Sequence, residues 1–115
     1  MKNIYKVIKE KGIEKDINQW RNSDDRTILM ETTFMGKENI LRWLLHELKF
    51  DVNEQNSFGD TVLHVAALHN RMECARLLLD VGSQLLKNQY GRTPLDYAKE
   101  YGHKEMQRLI ESHFQ

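Results

Sequence analysis

The sequence predicts an all-α fold, a short solenoid of stacked antiparallel helix pairs. The first sign is an internal repeat. Thr27-Ile28-Leu29-Met30, Thr61-Val62-Leu63-His64 and Thr93-Pro94-Leu95-Asp96 align, with their threonines 34 and 32 residues apart. The second is that each threonine stands nine residues before a residue suited to end a short helix, namely Gly36, Asn70 and Gly102. The third is an apolar cluster with i, i+3, i+4 spacing after each of these: Ile40-Leu41-Trp43-Leu44-Leu45, Cys74-Ala75-Leu77-Leu78-Leu79 and Met106-Leu109-Ile110. One such helix pair cannot bury its apolar face alone, whereas stacking on the next pair does so.

The elements follow in order. Ile4, Val7 and Ile8 share one helical face, and Gly12 suits the end of that helix. Ile13, Ile17 and Trp20 share a face of a second helix. These two predict helices over 3–11 and 13–21, the alternative being one helix followed by a coil. The three units that follow predict helices over 27–35 and 37–48, 61–69 and 71–81, and 94–101 and 103–113. Thr93 is suited to cap its helix by accepting a hydrogen bond from a free N–H of the first turn, and Pro94 suits the first helical position because its missing N–H would be unpaired there. Polar, turn-rich segments from Asp51 to Asp60 and from Gly82 to Gly91 join the units. Gly59 and Gly91 mark tight turns two residues before the threonine.

Gly59-Asp60-Thr61-Val62-Leu63-His64-Val65-Ala66-Ala67 and Tyr90-Gly91-Arg92-Thr93-Pro94-Leu95 resemble the ankyrin repeat signature, whose core is T-P-L-H-x-A at a period of about 33. Gly102-His103 is similar to the family's Gly-His between helices, and Asp51-Val52-Asn53 to its loop ending. The resemblance covers roughly residues 24 to 115. It implies an ankyrin-repeat helical solenoid in a single domain, with a degenerate N-terminal cap (1–23) and repeats over 24–56, 57–89 and 90–115. The departures are specific. The first unit lacks the Gly and Pro and carries Met30 in place of His. Lys49-Phe50 replaces Gly-Ala with one extra residue, the loop after Gly82 is one residue short, and the third unit has Asp96 for His. His64 alone keeps the Thr-x-x-His pair, so its imidazole is expected to bond nearby loop groups. Gln107 takes the position of Leu41 and Ala75, a polar outer face that suits a terminal repeat, so the array is expected to be complete.

Composition narrows the function classes. Seventeen Lys/Arg balance seventeen Asp/Glu over 115 residues, which argues against a phosphate-gripping nucleic-acid binder. The single cysteine, Cys74, excludes an internal disulfide framework and a cysteine-only zinc site. No apolar run approaches the ~18 residues of a membrane helix. Lysines interrupt the N-terminus, so no signal peptide is expected. Residues 1–23 are locally basic, with six Lys/Arg against three Asp/Glu, a pattern that suits a solvated helix face or an acidic partner surface.

The chemistry-bearing residues form no catalytic pattern. His46, His64, His69, His103 and His113 belong to different units and show no metal-ligand spacing. Cys74 falls among apolar residues on a second helix and reads as core. Asp24-Asp25 are adjacent in a turn, poor geometry for paired acid–base work. No phosphate-cradling glycine loop is present. No enzyme activity, metal or cofactor is expected.

What the resemblance implies is a protein-interaction module whose turn tips and first helices line a concave, partner-binding face. By repeat position that face includes Arg26, Phe34 and Met35, then Ser57, Phe58, Asp60, Leu68 and His69, then Gln89, Tyr90, Arg92, Glu100 and Tyr101. Its apolar and aromatic members would run across adjacent repeats, and aromatic residues and Met are enriched at interface cores. The expected role is a small adaptor or structural subunit docked in a larger protein assembly. The alternative is a reversible inhibitor of an enzyme or transcription factor. The expected partner is a protein, with no nucleic acid, membrane or small-molecule substrate. The expected setting is the cytoplasm, with the nucleus or cytoskeleton as variants.

Overall fold

The computed structural model describes residues 17, 19–48 and 50–115. The helix expected over 3–11, and the start of that over 13–21, lie outside the described residues. Six helices follow among the described residues: α1 (Ile28–Phe34), α2 (Glu38–Glu47), α3 (Val62–Leu68), α4 (Met72–Asp80), α5 (Pro94–Glu100) and α6 (Lys104–His113). They pair as α1 with α2, α3 with α4 and α5 with α6. The first helices α1, α3 and α5 pack on one another in sequence, and the second helices α2, α4 and α6 do the same. The result is an elongated two-layer stack measuring 42 × 25 × 22 Å.

Thr93 caps its first helix as expected, and Thr27 and Thr61 do the same in theirs. Thr27, Thr61 and Thr93 hold extended backbone, and each hydroxyl accepts the N–H three residues on. Because Thr27 and Thr61 stand outside their helices as caps, α1 and α3 begin one residue later than the periodicity suggests. Asn70, at φ 56°, and the glycines Gly36 and Gly102, both at 70°, turn the chain from first to second helix. The helix expected to reach residue 21 ends earlier. Trp20 donates its N–H to Ile17 O at 3.2 Å, and Arg21 pairs antiparallel with Thr27. The Asn22 side chain explains the early stop: its Oδ1 accepts the N–H groups of Asp24 and Arg26, both at 2.9 Å, and draws the backbone into a turn.

The core lies between the two layers. Leu41, Leu63, Leu78, Met106 and Ile110 are fully buried, as are the alanines Ala66, Ala67 and Ala98 where α3 meets α5. Small residues there let the first helices approach closely. Leu41 and Ala75 are buried, whereas Gln107 at the corresponding position of α6 is half-exposed and reaches Glu111 at 3.4 Å. In the first repeat Thr32 and Thr33 stand where α3 has Ala66 and Ala67. Thr32 donates its hydroxyl to Ile28 O at 2.7 Å. The buried hydroxyls of Thr33 and Ser83 have no hydrogen-bond partner among the described residues. A buried unpaired hydroxyl carries a desolvation cost of about 1–3 kcal/mol. Thr33→Val, which keeps the branched shape, is therefore expected to raise the unfolding free energy by about 1 kcal/mol, and Ser83→Ala to act in the same direction. Urea titration followed by circular dichroism measures both. A loss on Thr33→Val would mean that the hydroxyl is bonded in solution.

Candidate functional site

Three hairpin turns precede the first helices and share one construction. Asn22, Asn56 and Asn88 each stand five residues before a capping threonine. Each main-chain N–H donates to the residue four on, at 3.1, 3.0 and 2.9 Å. Each side-chain Oδ1 accepts two further N–H groups: Asp24 and Arg26, Phe58 and Asp60, Tyr90 and Arg92. The third turn residue needs a left-handed backbone, supplied by Gly59 (φ 79°) and Gly91 (φ 76°). Asp25 takes that place in the first turn at φ 60°, and its carboxylate accepts the Ser57 N–H at 2.7 Å and hydroxyl at 2.5 Å. These two bonds hold the Asp25 carboxyl below the usual carboxylate range, the hydroxyl contributing most.

The turns are laced to one another across the stack. Asn56 Nδ2 donates to Asp25 O at 3.3 Å, Asn88 Nδ2 to the Asp60 carboxylate at 2.9 Å, and Gln89 N–H to Phe58 O at 2.9 Å. His64 completes the seam between the second and third repeats. Its Nδ1 accepts the Thr61 N–H at 2.9 Å, and its Nε2–H donates to Arg92 O at 2.9 Å. This matches the expectation that the imidazole bonds loop groups. Arg71 and His103, each ten residues after a threonine, form a second set of seams. Arg71 donates Nε–H and Nη2–H to Phe34 O at 3.1 and 2.8 Å, and His103 Nε2–H donates to Leu68 O at 3.2 Å.

Residues nominated from the sequence for the partner-binding face fall into two groups. Met35, Phe58, Tyr90 and Tyr101 are 54, 42, 61 and 58% exposed. They occupy two aligned rows. Phe58 and Tyr90 lie three residues before a threonine, on hairpin tips joined by the Gln89–Phe58 bond. Met35 and Tyr101 lie eight residues after one, as does His69. The other nominated residues are engaged within the chain. Phe34 and Leu68 are half-buried against the core or its edge. Arg26 stacks its guanidinium 4.0 Å above the Phe34 ring centroid and lies 3.6 Å from the Asp24 and Glu31 carboxylates. The His69 ring meets Phe34 edge-on at 4.7 Å. Asp60 accepts from Asn88, and Arg92 pairs with Glu100 at 2.5 Å. Ser57 is bound to Asp25, and Gln89 lends its main-chain N–H to the seam.

Cys74 is buried, and burial pushes its thiol above the usual range. Among the described residues no three His, Cys, Asp or Glu side chains come together as metal ligands. No helix of the described residues is long and apolar enough to cross a membrane. The sequence reading passed over Asn22, Asn56, Asn88 and Arg71. The first three carry a usable signal, since asparagine recurs in register with the threonines.

The family model "Ankyrin repeats (3 copies)" matches residues 34–114. An ankyrin repeat protein of Rickettsia bellii (strain RML369-C) is 39% identical over 62 residues, which cover 53% of this chain and 37% of that protein. The human SH3 and multiple ankyrin repeat domains protein 2 is 41% identical over 64 residues, covering 55% of this chain and 4% of that protein. The human mitochondrial disaggregase is 32% identical over 124 aligned positions, covering 97% of this chain and 17% of that protein. The chain thus spans well under two thirds of the length of these relatives. Helix pairs in register, turns of one design and a family match over most of the described residues agree, and the chain belongs to the ankyrin repeat family.

Proposed function

We propose that the chain is a non-enzymatic protein–protein interaction module, a small adaptor or structural subunit docked in a larger assembly through its concave face. The observation that carries this reading is the exposure of Met35, Phe58, Tyr90 and Tyr101, spread over three successive repeats on the turn tips and first-helix ends. Large apolar side chains aligned on a rigid frame are the type of residue that anchors interface cores. Membership of a family built for protein interaction supports the same reading. The reactive side chains have structural duties: His64 in a cap, His103 in a seam, Cys74 in the core. Protein partners and a cytoplasmic setting belong to this reading.

The test compares affinity capture by the wild-type chain and by a Met35→Ala/Phe58→Ala/Tyr90→Ala variant. These three side chains are exposed, so the variant is expected to keep its circular dichroism spectrum and melting curve. A set of proteins retained by the wild type is expected to fall at least tenfold with the variant, since each interface anchor contributes about 1–2 kcal/mol or more. Undiminished capture by a folded variant would move the working surface to the second-helix side of the stack.

A further inference from the structure

We propose that Met35 is a site of reversible oxidation, where a peroxide converts the thioether to its sulfoxide and weakens docking at the concave face. The inference rests on the concave-face reading above and adds a regulation to it. Its basis is how differently the fold shelters its sulfur-bearing residues. Met30, Cys74 and Met106 are 1, 2 and 0% exposed. Met30 Sδ is also covered by the Asn56 amide at 3.8 Å. Burial keeps the Cys74 sulfur as the thiol, a weaker nucleophile than the thiolate. Met72 is half-buried and packed against the core. Met35, at 54% exposure, is the most open sulfur-bearing residue among those described.

The main chain of Met35 is fixed on both sides. Its N–H donates to Glu31 O at 3.0 Å, the carbonyl of Phe34 holds Arg71 at 2.8 Å, and Gly36 turns the chain at φ 70°. The side chain takes part in none of these bonds, so its oxidation changes the surface and leaves the frame in place. The step is an oxygen transfer. A lone pair of the sulfur attacks one oxygen of hydrogen peroxide and the O–O bond breaks. The leaving hydroxide takes the proton from the oxygen now on sulfur, giving sulfoxide and water. The product carries a hydrogen-bond acceptor where apolar surface stood, and burying it against an apolar partner group without a donor costs affinity. Methionine sulfoxide reductases return the thioether: the oxygen leaves as water, and a pair of thiols is oxidised to a disulfide.

The test has two stages. The full chain is treated with hydrogen peroxide, quenched with catalase, and mapped by peptide mass spectrometry with fragmentation. Met35 is expected to oxidise at least about fivefold faster than Met72, and Met30 and Met106 more slowly still, with the circular dichroism spectrum unchanged. The probe is a dodecapeptide free of methionine and cysteine, selected from a displayed random library against the full chain and counter-selected on Phe58→Ala/Tyr90→Ala. Met35 is thus not built into the selection. Peroxide is expected to weaken binding of this peptide about tenfold in the wild type and in Met72→Leu, and reductases A and B with dithiothreitol to restore it. Met35→Leu is read as the ratio of its own affinities before and after peroxide, which is expected to stay near one. Oxidation of Met72 ahead of Met35, an unchanged affinity of the oxidised wild type, no recovery with the reductases, or an equal loss in Met35→Leu would each overturn the proposal. The first two of these leave the concave-face reading intact, because the peptide still depends on Phe58 and Tyr90. A selection that yields no peptide dependent on those two residues would remove that reading and the proposal with it.

Discussion

His64→Leu is expected to lower the unfolding free energy by about 2–4 kcal/mol, with the loss arising from one buried N–H left unpaired and one bond between repeats removed. Leucine roughly keeps the volume, so the cavity contribution is small. What remains is the Thr61 N–H without its acceptor, and an Arg92 carbonyl that loses the imidazole but keeps the Asn88 N–H, all three bonds being 2.9 Å long in the native fold. The two imidazole bonds differ in kind. One closes the cap of α3, and the other ties the second repeat to the third. His64→Asn keeps a short acceptor for the cap and cannot span to Arg92, so it is expected to lose about half as much. Asp96 shows that the cap works alone. It accepts the Thr93 N–H at 2.9 Å at the same repeat position, and that bond holds its carboxyl below the usual range. Urea unfolding of the two variants separates the contributions. Equal losses would mean that the bridge to Arg92 adds nothing.

The same geometry fixes a pH dependence. Nδ1 of His64 already accepts an N–H, so a proton added there would face a donor. Burial further pushes the imidazole below its ordinary 6.5. The folded state therefore binds fewer protons than the unfolded chain in the window beneath 6.5, and stability rises with pH through that window. The contribution is complete above 6.5 and is lost as pH falls toward the folded-state value. His69 is shifted in the same direction and adds to the slope. Asp25 and Asp96 are also lowered, from 3.8, so their contribution is complete above that value and is lost only in stronger acid. Melting temperatures measured from pH 7.5 down to pH 5.5 are expected to fall for the wild type and less steeply for His64→Leu. A flat wild-type profile would show that the imidazole accepts its proton without losing the seam.

The helices were legible because a solenoid writes its plan repeatedly. Thr27, Thr61 and Thr93 mark every first helix, and the residue nine positions on marks every turn between helices. Even the substitution of Asn70 for glycine is readable, since asparagine tolerates the left-handed backbone. Asp25 at φ 60° is harder to read. Its conformation is stabilised by Ser57 of the next repeat, a partner that lies 32 residues away in the chain. The candidate surface was legible by repeat position but not by occupancy. Position in the repeat puts Phe34, Asp60 and Arg92 on the turn and first-helix side with Met35 and Tyr90. It does not disclose that His69, Asn88 and Glu100 engage them, because those contacts depend on side chains particular to this chain. Arg71 is the clearest miss. It stands where the third repeat has His103 and does the same work of reaching back to a helix-end carbonyl. A search for the family's histidine alone passes over it.

Gly59→Ala is expected to lower stability by about 3 kcal/mol, and Gly91→Ala by about 1–2 kcal/mol, although the two glycines occupy the same turn position. Their backbones are alike, with φ of 79° and 76°, so the strain of adding a Cβ in the left-handed region is nearly equal. The surroundings differ. A Cβ on Gly59 would lie 2.9 Å from Asn88 Cα and 2.9 Å from the Gln89 nitrogen, whereas one on Gly91 meets nothing within 4 Å. Those close atoms are backbone and cannot rotate away. They are also held in place, since Gln89 N–H donates to Phe58 O and the Asn88 side chain organises its own turn. The first repeat shows that a side chain at this position is not forbidden in itself. Asp25 carries one there with a further repeat beside it, but its capping threonine is 34 residues from the next, whereas Thr61 and Thr93 are only 32 apart. The second and third turns are in backbone contact through the Gln89–Phe58 bond, and glycine is what that contact requires. Thermal unfolding of the two alanine variants measures the difference. Equal losses would mean that backbone strain accounts for both and that the seam between these turns opens readily enough to admit a methyl group.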